Sequence, residues 1–162
     1  MALVAHHATH LEATGARAIT TSCGFLSVVQ NDLAAAVSVP LIASSLSLVP
    51  LVRQMIAGRP VGVITAHAGR LSAQHLAPCG IDPAWPVHVR GLEQVPAFHA
   101  PILAGAATLD VAAVSRGVVD TCDALRRDVP DLGAFVFECT NLQPYAAAVQ
   151  ARTGLPVFGI YH

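Results

Sequence analysis

The sequence predicts an α/β protein: two pseudo-symmetric lobes with parallel sheets flanked by helices, and an active-site cleft between them. Three observations predict it. Short apolar runs of roughly four to eight residues alternate with helical patterns along the chain, as parallel strands joined by crossover helices do. One unit also occurs twice. Thr20-Thr21-Ser22-Cys23-Gly24-Phe25 and Phe137-Glu138-Cys139-Thr140-Asn141 each carry an apolar run to a cysteine, followed by small or polar residues and a helical pattern. Cys23 to Pro40 and Cys139 to Pro156 are both 17 residues, and each proline opens a further strand. Finally, no linker or low-complexity stretch separates the halves. Residues 1–58 are expected to form a first lobe. Residues 59–162 form the second, its last residues returning toward the first.

The elements follow in order. Ala2 to Ala13 reads as a helix with Leu3, Val4, His7, Ala8 and Leu11 on its apolar stripe, ended by Gly15. Ala16 to Ser22 is a strand and Gly24 to Val37 a helix. Val39 to Ala43 is a second strand. Ser44 and Ser45 can cap the next helix, Leu46 to Ala57, which closes at Gly58. Pro60 to Ala66 shows no alternation, so this strand is expected to be buried on both faces. A helix from Arg70 to Leu76 stops at Pro78-Cys79-Gly80, and Val87 to Val89 is a short strand. Gly91 to Thr108 is broken by Pro96, Pro101 and Gly105 and reads as a loop with a helical turn. Asp110 to Arg127 is a helix with Val111, Val114, Val118, Cys122 and Leu125 on one face. Gly133 to Glu138, Leu142 to Arg152 and Pro156 to Ile160 give strand, helix and strand.

Composition narrows the function. The chain has 162 residues, 54% apolar and only 12% charged, with net charge −1. That excludes a disordered chain and argues against nucleic acid as partner. The apolar runs fall short of the ~20 residues that cross a bilayer. Met1 to His7 lacks a basic region and a cleavage site, so no signal peptide is expected. Four cysteines at irregular spacing, without CxxC, suit a reducing cytoplasm. The low charge suggests that much of the surface is buried, in its own core or against another copy in a homo-oligomer.

Cys23 and Cys139 are both expected at strand carboxyl ends, where open α/β sheets gather ligands, and at the start of a helix. A thiol there is expected to have a lowered pKa, and a carboxylate there finds backbone donors. Two thiols on opposite sides of one carbon suit proton removal from one face and return to the other, with no metal or cofactor. A redox disulfide between them is a second reading. Zinc is a third, although close ligand pairs such as CxxC are absent around them. Cys79 and Cys122 read as core residues. His6 and His10 read as a solvated face, His7 as a core or interface histidine, and His67 as a rim residue. Glu138 could tune Cys139 or pair with a donor in the neighbouring strand's turn.

At these residues the sequence resembles the aspartate/glutamate racemase superfamily, which includes hydantoin racemases, maleate isomerases and arylmalonate decarboxylases. The resemblance rests on Thr21-Ser22-Cys23-Gly24-Phe25-Leu26 with Gln30, Pro40 with Ser44-Ser45-Leu46, Val61 to Thr65, and Glu138-Cys139-Thr140-Asn141-Leu142 with Pro144-Tyr145 and Pro156-Val157-Phe158. It runs along essentially the whole chain. It implies a cofactor-independent isomerase in which Cys23 and Cys139 are the acid/base pair. Ser22, Gly24, Ser45, Thr65, Thr140 and Asn141 would contact a small carboxylate-containing substrate. A decarboxylase, a cis–trans isomerase or a truncated non-catalytic binder of small acids are the alternatives. Relative to that family the chain opens after the first strand unit and stops before a closing helix, so a first lobe without its central strand is expected. Gly-Phe-Leu after Cys23 and Thr-Asn-Leu-Gln after Cys139 depart from the aspartate and glutamate racemase motifs. No arginine in the motifs would clamp a second carboxylate.

Overall fold

A computed structural model describes residues 2–161. Helix α1 (Ala2–Ala13) leads into β1 (Ile19–Thr20), which pairs in parallel with β2 (Leu41–Ile42). Between them lie a six-residue 3-10 helix, Gly24–Val29, and α2 (Gln30–Ala35). A second 3-10 turn (Ser45–Leu48) opens α3 (Val49–Met55), with the Ser44 hydroxyl capping it by accepting from the Leu46 N–H at 3.2 Å. Then come β3 (Val61–Thr65), α4 (Ala73–Leu76), β4 (Val87–Gly91), the short turn α5 (Pro96–Phe98) and a π-helical turn at His99–Leu103. Helix α6 (Val111–Asp128) precedes β5 (Ala134–Phe137). A second six-residue 3-10 helix, Thr140–Tyr145, precedes α7 (Ala146–Thr153), and β6 (Val157–Phe158) ends the series.

Strands β3 to β6 form one parallel sheet in the order β4-β3-β5-β6, separate from the β1–β2 pair. β3 and β5 are buried along their whole lengths, as their unbroken apolar runs predict. Their side chains alternate between two cores. Ile64, Phe135 and Phe137 pack with Val118, Cys122 and Leu125 of α6 and Val149 of α7. Val61, Val63, Ala134 and Val136 pack with Val49, Val52 and Ile56 around α3. A third cluster joins Ile19, Leu41, Ala43 and Leu33 to Ala8 of α1. Gly62 lets α6 sit close on β3: a Cβ there would lie 2.9 Å from Leu125 Cδ2 and from Phe135 Cδ1.

The duplication is geometric. Ile19 faces Leu41 and Phe135 faces Val157, 22 residues apart in both pairs. Each pair encloses a cysteine at the N-cap of a six-residue 3-10 helix and then an α-helix. Several expectations need correction. The single helices expected at Gly24–Val37 and Leu142–Arg152 are split into 3-10 and α segments. Pro144, with no N–H, sits inside the second 3-10 turn, so regular α-helix starts only beyond it. The strands of the first pair are two residues each, because only those backbones find ladder partners. On α1, Leu3, His7 and Leu11 are exposed, and on α6 Val111 is exposed, so the buried stripes are narrower than the periodicity suggests.

Candidate functional site

The ends of β1, β3 and β5 converge. The first cysteine turn is held by Thr21. Its hydroxyl donates to the Ala43 carbonyl at 2.6 Å and accepts from the Cys23 N–H at 3.3 Å. Gln30 links the same unit to β2, donating to the Leu41 carbonyl at 3.0 Å and accepting from the Ala43 N–H at 2.7 Å. The second cysteine turn continues β5, where the Glu138 N–H donates to the Ile64 carbonyl at 2.8 Å.

The two turns cross each other reciprocally. The Thr140 hydroxyl, one residue after Cys139, donates to the carbonyl of Ser22, one residue before Cys23, at 2.9 Å. In the other direction Gly24, one residue after Cys23, packs on Glu138, one residue before Cys139. A Cβ at Gly24 would lie 2.6 Å from the Glu138 carbonyl oxygen and overlap its Oε1. Glycine is required there because the partner turn occupies that space. This paired crossing brings the cysteine positions together.

The predicted residues fall into two groups. Cys23, Ser22 and Asn141 are exposed, and Cys139 and Thr140 are half-buried. Gly24, Ser45 and Thr65 are buried. The Ser45 hydroxyl donates to the Phe137 carbonyl at 2.6 Å, and the Thr65 hydroxyl donates to Glu138 Oε2 at 2.7 Å. Both hydroxyls support the floor of the second cysteine turn.

The electrostatics of Cys139 oppose the sequence expectation. Burial pushes its thiol up, and the neighbouring Glu138 and Cys23 add to this. The backbone N–H and side-chain amide of Asn141 act the other way. The expected helix start is a 3-10 segment, and desolvation by burial is the largest influence on the thiol at its head. Glu138 is 2% exposed, and burial pushes its carboxyl up against the lowering effect of the Thr65 bond. All four cysteines are free thiols; Cys79 and Cys122 are buried, and burial pushes Cys122 up to about 12. Among the described residues no three His, Cys, Asp or Glu side chains are placed to hold a metal ion. No described helix is long and apolar enough to cross a membrane.

A cavity of about 250 Å³ opens beside Cys23, walled by Val4, His7 and Leu11 of α1 and by Thr21 and Leu41; Cys139 lies outside its lining. His7, read from sequence as a core or interface histidine, is exposed and lines this cavity. His67 lies 4.0 Å from Glu93 beyond the end of β3. Thr21 and Glu138 are the site residues that the sequence left out of its substrate set. The Ser22–Cys23 and Glu138–Cys139 correspondence in the repeat could have pointed to Glu138.

Comparison with known proteins agrees with this architecture. The chain superposes on arylmalonate decarboxylase with a TM-score of 0.64 and 19% identity, covering 96% of this chain and 68% of that one. Against a glutamate racemase from Bacillus anthracis the TM-score is 0.59 at 17% identity, over 97% of this chain and 58% of that one. The fold is that of these enzymes. In sequence the chain is 32% identical over 149 residues to a dimethylsulfoniopropionate lyase from Durusdinium sp. clade D, covering 89% of this chain and 49% of the relative. It is 34% identical over 159 residues to dimethylsulfoniopropionate lyase 3 of Emiliania huxleyi, covering 93% and 41%. The chain thus spans about half the length, or less, of the curated relatives it matches. No family model matches. The structural neighbours are racemase-superfamily enzymes, whereas the sequence relatives carry the name of a lyase.

Proposed function

We propose that this chain carries the thiol centre of a lyase that acts on a carbon acid next to a carboxylate, with dimethylsulfoniopropionate as substrate. One observation carries the reading. The reciprocal crossing of the two cysteine turns brings Cys23 and Cys139 within electrostatic reach of each other, on a fold shared with enzymes named as a decarboxylase and a racemase. The similarity to dimethylsulfoniopropionate lyases supplies the substrate.

The chemistry is an elimination. Exposed Cys23, as thiolate, takes a proton from C2 of the propionate. The C–H electron pair forms the C2=C3 double bond, and the C3–S bond breaks. Dimethyl sulfide leaves with that bonding pair, which neutralises its sulfonium charge, and acrylate remains. Charge that develops on the substrate carboxylate meets hydrogen-bond donors: the Cys139 thiol and the amide of Asn141. The Cys23 thiol then returns its proton to solvent. The departing sulfide needs no proton, so the lyase depends on one base. Racemisation is the second reading, favoured by the presence of a thiol in each turn; it needs both, one to remove the proton and one to return it.

The test is proton NMR of dimethylsulfoniopropionate with the protein in D2O. Acrylate and dimethyl sulfide should appear, and Cys23→Ser should abolish them. Cys139→Ser should slow the reaction without abolishing it. Absence of acrylate with a folded protein, alongside deuterium entry at C2 of other carboxylic acids, would replace the lyase by the isomerase.

A further inference from the structure

The repeat that places the two thiols is geometrically symmetric but not chemically so. The residue before Cys23 is Ser22, exposed to solvent; the residue before Cys139 is Glu138, 2% exposed. The Glu138 carboxyl lies at the crossing itself. Its Oε2 accepts from Thr65 at the end of β3 at 2.7 Å. Its Oε1 is turned against Gly24 of the opposite cysteine turn and has no hydrogen-bond partner among the described residues. A buried carboxyl oxygen without a donor is costly, about 1–3 kcal/mol, and a charged one costs more. The Thr65 bond accounts for one carboxyl oxygen; fold stability gives no reason for the other, which is buried against Gly24 without a donor.

We infer that Glu138 is a positioning residue that decides which thiol carries the proton, holding Cys139 as the neutral thiol and leaving the thiolate to Cys23. The inference rests on the two-thiol reading above and deepens it. The titratable groups facing Cys139 are Glu138 on its own strand end and Cys23 on the opposite turn. Facing the Glu138 carboxyl are Thr65, which bonds it, and Gly24, which has no side chain. Any ionisation of Glu138 opposes a second negative charge on the half-buried Cys139 beside it. Ser22, in the matching place before Cys23, carries no charge. One duplicated unit thus gains a direction: base on the first turn, acid on the second. Pairs of groups pushed apart by their surroundings are the usual form of such an assignment.

The experiment reads the thiols directly, so it is independent of turnover. Iodoacetamide alkylation of Cys23 and Cys139 is followed by peptide mass spectrometry from pH 6 to pH 10 in the wild type, Glu138→Gln and Thr65→Val. Glutamine keeps the volume against Gly24 and an acceptor for Thr65 but removes the charge. In Glu138→Gln, Cys139 alkylation below its midpoint should become several-fold faster and its pH profile should move to lower pH, while the Cys23 profile stays in place. Thr65→Val removes the bond that favours the ionised carboxylate, so it should shift Cys139 the same way by less. This second variant decides the matter if Glu138→Gln does not fold. An unchanged Cys139 profile in the folded variants, or a shift confined to Cys23, overturns the assignment. Absence of acrylate formation by the wild-type protein, with the Cys139 shift in Glu138→Gln intact, would instead count against the lyase reading alone.

Discussion

Substitution of Gly24 by alanine tests the crossing on which the site is built. The added methyl carbon would stand 2.6 Å from the Glu138 carbonyl oxygen and 2.7 Å from its Cδ. Non-bonded carbon and oxygen need about 3.3 Å. The two turns must therefore separate by several tenths of an ångström, and one obstacle is main chain, which no rotamer change relieves. Overpacking of this kind costs roughly 1–3 kcal/mol. With a denaturant slope of ~2 kcal/mol/M in urea, a loss of ~2 kcal/mol lowers the unfolding midpoint by about 1 M. The assay is equilibrium urea unfolding of the wild type, Gly24→Ala, Thr140→Val and the double variant. Thr140→Val alone removes the bond to the Ser22 carbonyl and should cost ~1 kcal/mol. Both substitutions open the same junction, so their combined loss should be smaller than the sum. A Gly24→Ala protein as stable as the wild type, or losses that simply add, would refute the reciprocal crossing.

Other predictions follow from the cores and the thiols. Gly62→Ala should cost ~1–3 kcal/mol in the same urea assay, because its methyl would press on Leu125 and Phe135 between α6 and β3. In the native state a thiol reagent should modify exposed Cys23 first and Cys139 next, with Cys79 and Cys122 reacting only on unfolding; rapid native labelling of Cys122 would contradict its place in the core. Cys122 also makes stability fall with alkali. Its thiol ionises near pH 8.5 in the unfolded chain but only at about 12 when folded. Between those values the unfolded state has lost a proton that the folded state keeps, so unfolding becomes easier by about 1.4 kcal/mol per pH unit. Urea unfolding of Cys122→Ala should show a lower midpoint near neutral pH and a flatter decline above pH 8.5.

Much of this was legible in the residues. The Cys–Pro spacing of 17 in both halves reappears as two parallel strand pairs with one register. The unbroken apolar runs Val61–Thr65 and Ala134–Phe137 are the two buried strands. What the sequence did not carry is how each turn meets its neighbours. Gly24 read as a substrate contact, whereas its bare Cα faces Glu138. Ser45 and Thr65 read as substrate donors, whereas their hydroxyls bond Phe137 and Glu138. The same holds for the Cys139 thiol. Its sequence position suggested activation at a helix start, but burial, a three-dimensional property, outweighs the two donors of Asn141.

Two sulfurs within reach of a single small molecule can be detected without knowing the substrate. Dibromobimane bridges a pair of thiols only when both lie within one reagent's span. Treated at mildly alkaline pH and digested, the native protein should yield one bridged peptide pair joining Cys23 to Cys139, absent from Cys23→Ser and Cys139→Ser. Single-thiol adducts on both cysteines with no bridge between them would contradict the shared thiol centre and every function drawn from it.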